Sequence, residues 1–120
     1  MMQHVNLLGA HATYLDLRSF SRFFFGILGV ENEEGRESEN YIGGYYTKGS
    51  LGRLIFTVAS SEDAAHEGWS YWIHVSADMP EPEVLEEVVA QLLRDKMPLL
   101  GFRLARITNL GKRNEQRIEY

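Results

Sequence analysis

Trp69-Ser70-Tyr71-Trp72-Ile73-His74-Val75-Ser76-Ala77 divides cleanly into two alternating sets. Trp69, Tyr71, Ile73, Val75 and Ala77 fall on one side, and Ser70, Trp72, His74 and Ser76 on the other. This period of two marks a strand with one buried face. Such a strand needs antiparallel neighbours and an apolar layer against its buried side. The flanking sequence offers both.

Upstream, residues 40–47 are rich in tyrosine, and Gly43-Gly44 inside them suggests a bulge or a close backbone approach. Lys48-Gly49-Ser50 reads as a hairpin turn into residues 51–59, where Leu54, Phe56 and Val58 share a face. Residues 31–39 and 60–68 read as loops. Before them, Leu17, Phe20, Phe23, Phe24, Ile27 and Leu28 recur at helical spacing, which predicts a helix over 14–28. Thr13 is its expected cap and Asp16 favours its positive end, while Gly29 suits the left-handed position that closes a helix. Phe25 lies off the main stripe and implies a wider buried arc.

Downstream, Val84, Leu85, Val88, Val89, Leu92 and Leu93 predict an amphipathic helix over 82–96, which Pro98 stops. A strand over 102–108 follows. Its apolar residues change face between Leu104 and Ile107, which suggests a bulge. After a turn at 109–112, the last residues suit a short edge strand. The expected fold is α+β: an antiparallel sheet of four to five strands with two helices on one face, in the order α-β-β-β-α-β(-β). At 120 residues, 44% of them hydrophobic, the chain suits one compact domain spanning 1–120.

The absence of cysteine removes disulfides, thiolate nucleophiles and cysteine-ligated zinc, and fits a reducing compartment. No apolar run approaches the ~20 residues of a membrane helix. The start lacks the basic region and apolar core of a signal peptide, so a soluble cytoplasmic protein with no membrane role is expected.

Charge is segregated along the chain. Residues 23–93 carry thirteen carboxylates against Arg36, Lys48 and Arg53, whereas the segments on either side are basic. A one-sided field of this sort speeds docking of a basic partner.

The four histidines, His4, His11, His66 and His74, lack the one-turn spacing of a helical zinc site. His66 with Glu62, Asp63 and Glu67 matches no calcium-loop pattern. No serine sits in a Gly-x-Ser-x-Gly elbow. Lys48-Gly49-Ser50-Leu51-Gly52-Arg53 lacks the spacing of a nucleotide loop. No catalytic residue, metal ligand or cofactor is therefore assigned. Tyr41, Tyr45, Tyr46, Trp69, Tyr71 and Trp72 could stack bases, but they lie in the acidic segment, which argues against nucleic acid.

Tyr41-Ile42-Gly43-Gly44-Tyr45-Tyr46, Gly49, Gly52, the strand from Leu54 to Val58, Asp63 and Tyr71-Trp72-Ile73-His74-Val75 together resemble small bacterial immunity proteins of contact-dependent inhibition systems. The resemblance covers about a third of the chain and transfers no contact residue. It implies a cytoplasmic, non-enzymatic toxin inhibitor that binds a cognate toxin domain, often a nuclease with a basic active site. On the charge argument, Glu31, Glu33, Glu34, Glu37 and Glu39 would steer such a protein partner, with Glu62, Asp63 and Glu67 as a second acidic group. Tyr45, Tyr46 and Trp72 would be anchors. Two other readings fit the same residues: a secretion-chaperone-like homodimer, and a small enzyme using His74 or His66. Acidic loops also simply solvate a domain.

Overall fold

A computed structural model describes residues 2–11, 16–39, 42–61, 69–96, 102–108 and 116–119. The chain runs β1 (Met2–His11), α1 (Leu17–Leu28), β2 (Glu31–Glu37), β3 (Ile42–Leu51), β4 (Leu54–Ser60), β5 (Tyr71–Asp78), α2 (Pro82–Lys96), β6 (Phe102–Thr108) and β7 (Gln116–Glu119). The strands form one antiparallel sheet in the order β2-β3-β4-β5-β1-β6-β7. The α+β class and the two helices match expectation. The sheet has seven strands among the described residues rather than four to five, and a strand precedes the first helix.

The larger sheet follows from two strands that carry no clean alternation. In β1, Val5, Leu7 and Gly9 are buried on the helix side, and Leu8 alone is buried on the other face, between Asn6 and Ala10. With Leu7 and Leu8 buried on opposite faces, this part of the strand reads as a short apolar run rather than an alternation. At the opposite extreme, every residue of β2 is exposed, so the segment 31–39 expected as a loop is mostly an edge strand.

One sheet face carries the main core. Val5, Leu7, Phe56, Val58, Tyr71, Ile73, Val75, Ala77 and Leu104 pack there against Phe20, Phe24, Phe25 and Leu28 of α1 and Leu85, Val89 and Leu93 of α2. Phe25 is 1% exposed, which extends the buried arc of α1 as its position required. The Phe20 ring stacks on Tyr71 with centroids 4.1 Å apart. Ser21 and Thr47 share a buried hydroxyl hydrogen bond of 2.7 Å, which satisfies both polar groups and ties α1 to β3.

The ends of α1 have clear causes. Asp16 is its N-cap, accepting from the backbone N–H of Ser19 at 2.9 Å, and Thr13 lies outside the described residues. Gly29, at φ 77°, closes the helix, and the Val30 N–H returns to the Phe25 carbonyl at 2.9 Å. The β3–β4 turn is at Gly52-Arg53 rather than Lys48-Gly49-Ser50, because Leu51 still pairs with Leu54. Gly52 supplies the positive φ, 57°, that a two-residue hairpin needs.

The register shift between Ile42 and Tyr46 agrees with the bulge expected at Gly43-Gly44. None occurs in β6, whose pairing with β1 runs unbroken from Phe102 to Ile107. The apolar change of face there arises because both sides of β6 are buried. Trp69 precedes β5 and also departs from expectation. It packs with Leu8, Ala105 and Ile107 on the face opposite Tyr71 and Ile73.

Gly49 of β3 makes room for the connection from α1 to β2. A Cβ there would lie 2.5 Å from Val30 Cγ1, 3.1 Å from the Glu31 carbonyl oxygen and 3.3 Å from Phe25 Cε2. Overpacking of this kind costs about 1–3 kcal/mol. Gly49→Ala should lower the unfolding free energy from urea titration by that amount and, in amide exchange, weaken β2 protection before that of β5; unchanged stability would show that the edge is not packed this tightly.

Candidate partner-binding surface

β2 carries the acidic residues because an edge strand with no buried side chain tolerates charge at every position. Its carboxylates also block edge-to-edge pairing with other chains, a structural reason for their presence. Glu31, Glu33, Glu34 and Glu37 are exposed on the strand, and Glu39 is exposed just beyond it. A register shift between Glu31 and Glu34, with Asn32 at φ 58°, kinks the strand near its start.

Alternation then sorts these side chains between the two faces. Glu34 and Arg36 face away from the helices, opposite Lys48 and Tyr46. Arg36 donates to Glu34 from Nη2 at 2.6 Å and Nε at 2.8 Å. The Glu34 carboxylate, with Tyr46, holds the guanidinium pKa above its ordinary value. Glu37 lies on the helix side, opposite Tyr45. There Arg18, Glu37, Ser38, Glu39, Gly44 and Tyr45 line a cleft of about 760 Å³. The Arg18 guanidinium sits 4.7 Å from the centre of the Tyr45 ring, within cation–π range.

Tyr45 and Tyr46, expected as a pair of anchors, thus project from opposite faces. Tyr46 belongs to a row that crosses the helix-free face through Ala59, Trp72, Leu8 and Ala105. Strands sit about 4.8 Å apart, so Tyr46 and Trp72 stand about 10 Å apart across that face. The structure therefore brings together Glu37, Glu39 and Tyr45, and places Tyr46 and Trp72 on the opposite face. Glu62, Asp63, His66 and Glu67 lie outside the described residues.

Trp72 belongs to a second cluster. Its Nε1–H donates to Asn6 Oδ1 at 3.1 Å, and its ring stacks on His74 with centroids 5.5 Å apart. His74 in turn stacks on His4, with His4 Nδ1 and His74 Nε2 at 3.0 Å, so one ring donates and the other accepts. His4 had no visible partner in the sequence because the pairing of β1 with β5 was hidden. Once Asn6 is set opposite His74, His4 and His74 must share a face. Among the described residues, no three His, Cys, Asp or Glu side chains group as a metal site. No helix there is long and apolar enough to cross a membrane.

Compared with known proteins, the chain matches no family model, no curated protein and no solved structure.

Desolvation, and secondarily the neighbouring His4, lowers the pKa of His74 below the ordinary histidine value. The unfolded chain then takes up a proton near pH 6.5 that the folded chain resists. Stability should therefore fall as pH drops below about 6.5, and reach a plateau once the folded histidine titrates. His74→Gln should flatten this part of the profile in urea titrations between pH 5 and 7.5; an equally steep profile would assign the dependence to other groups.

Proposed function

We propose that the chain is a non-enzymatic protein-binding module, and in its most specific form a cytoplasmic immunity protein that neutralises a basic, nuclease-type toxin domain. One observation carries this reading: the carboxylates of Glu31, Glu33, Glu34, Glu37 and Glu39 follow one exposed sheet edge and end at a cleft beside Tyr45. The carboxylates steer encounter with a basic surface, and Glu37 and Glu39 offer paired acceptors to an arginine or lysine. Tyr45 supplies an aromatic anchor at the same point. Carboxylates seated in a nuclease cleft would occupy the region meant for phosphate. The loose likeness to immunity proteins favours the same partner class.

The His4–His74 contact supports a second reading, a small enzyme using His74 for proton transfer. His74→Gln separates the two: it abolishes the enzyme's turnover and leaves the immunity protein's protection intact.

The decisive experiment is growth rescue. Co-expression of the chain should protect cells that produce a toxin domain encoded beside its gene, through a one-to-one complex. Reversing Glu31, Glu37 and Glu39 to lysine should slow association with that domain at least about tenfold at low salt and flatten its salt dependence. An unchanged association rate would remove this edge from the interface, and failure of the folded chain to protect would overturn the immunity reading.

A further inference from the structure

α2 buries Leu85, Val89, Ala90 and Leu93 against the sheet and leaves a different stripe facing outward. Among the described residues, the large apolar side chains left exposed are Met2, Val84 and Val88, and two of these three sit on that stripe. Val84, Val88, Gln91 and Asp95 follow one another at spacings of four, three and four. That spacing is the one a two-helix seam uses, apolar here at Val84 and Val88 and polar at Gln91 and Asp95, with Glu87 and Arg94 as successive flanking residues on one side. Beside the seam, Leu51, Leu54, Met79, Val88 and Leu92 line a groove of about 670 Å³.

We propose that this face of α2 binds a second copy of the chain, with the two α2 helices antiparallel about a two-fold axis near Val88 and Gln91. The proposal stands apart from the acidic edge and does not depend on its partner. Charge decides both the occupant and the direction. The helix is acidic in its first half, at Glu83, Glu86 and Glu87, and carries Arg94 and Lys96 at its end. Antiparallel pairing sets Glu87 of each copy against Arg94 of the other, giving the same ion pair twice, as an isologous interface requires. Parallel pairing would set Asp95 against Asp95 of the second copy.

Glu86 is held by Arg106 at 3.0 Å, whereas Glu87 is exposed beside Val88 on the outward stripe. The seam is apolar only at Val84 and Val88, and Gln91 donates to Asp95 at 3.0 Å within its polar half. Such a seam gives a reversible dimer whose population depends on concentration.

Sedimentation velocity from about 1 µM to about 1 mM tests this directly. The expected result is a monomer–dimer equilibrium that Val88→Lys weakens at least about tenfold. Glu87→Arg and Arg94→Glu should each weaken it, and the double variant should recover association to within about threefold of the original. These surface changes leave the buried side of α2 intact, and circular dichroism checks that the fold persists. A chain that stays monomeric throughout overturns the proposal, as does a dimer indifferent to Val88→Lys or a charge exchange without recovery. The α2 variants should leave toxin protection unchanged, and the β2 variants should leave the dimer unchanged.

Discussion

Insertion of β1 between β5 and β6 is the constraint on which the rest of the structure depends. It joins a strand at one end of the chain to two strands more than sixty residues later, so the sheet cannot close until long-range contacts form. The entropy of closing such a loop grows only slowly with length, and burial of Val5, Leu7 and Leu8 offsets it. Leu7 and Leu8 are 0% and 2% exposed on opposite faces, which makes β1 part of both apolar clusters. Gly9 completes the fit. A Cβ there would meet Phe20 Cζ at 3.0 Å and Ile73 Cδ1 at 3.1 Å, so α1 settles onto the sheet partly because this residue has no side chain.

The same insertion creates the polar chemistry of the helix-free face. β1 delivers Asn6 to the Trp72 indole N–H and His4 to His74, satisfying donors on a surface that neither α1 nor α2 covers. The half-buried Trp72 and His74 rings then stack, and Arg103 lies 4.5 Å from the centre of the Trp69 ring. Covering a sheet face with aromatic rings and a guanidinium hides apolar area while leaving polar edges in water. This explains why Leu8, Ala105 and Ile107 stay buried there without a second helix layer.

Elements that bury one face were legible in the sequence, and the others were not. α1, α2, β4 and β5 each carry a clear period because one side meets the core. Leu8 and Ala10 interrupt the polar side of β1 that His4 and Asn6 begin, and β2 lacks an apolar side, so each weakens a pattern built on contrast. The miscount of strands follows from those two segments. At the candidate site, the acidic cluster was legible by composition, but its strand geometry was hidden. The division of Tyr45 from Tyr46 did follow from alternation alone, since neighbours in a strand point to opposite faces. The His4–His74 contact was illegible because it needs a strand that the pattern concealed.

The acidic edge exceeds what protection against aggregation requires. One or two charges suffice to block edge pairing, whereas β2 and its extension carry five carboxylates and one arginine. Carboxylates two residues apart on a strand stand about 7 Å apart and repel by about 0.6 kcal/mol in water before salt screening. On the helix-free side, Arg36 binds Glu34 and Lys48 stands opposite it, so that part of the charge is already compensated. On the helix side, Glu37 and Glu39 share their cleft with Arg18, which lies over Tyr45. On the proposed reading, a basic partner would therefore gain least near Glu34 and most at Glu37 and Glu39. There an incoming guanidinium of such a partner would meet both carboxylates and compete with Arg18 for the tyrosine ring.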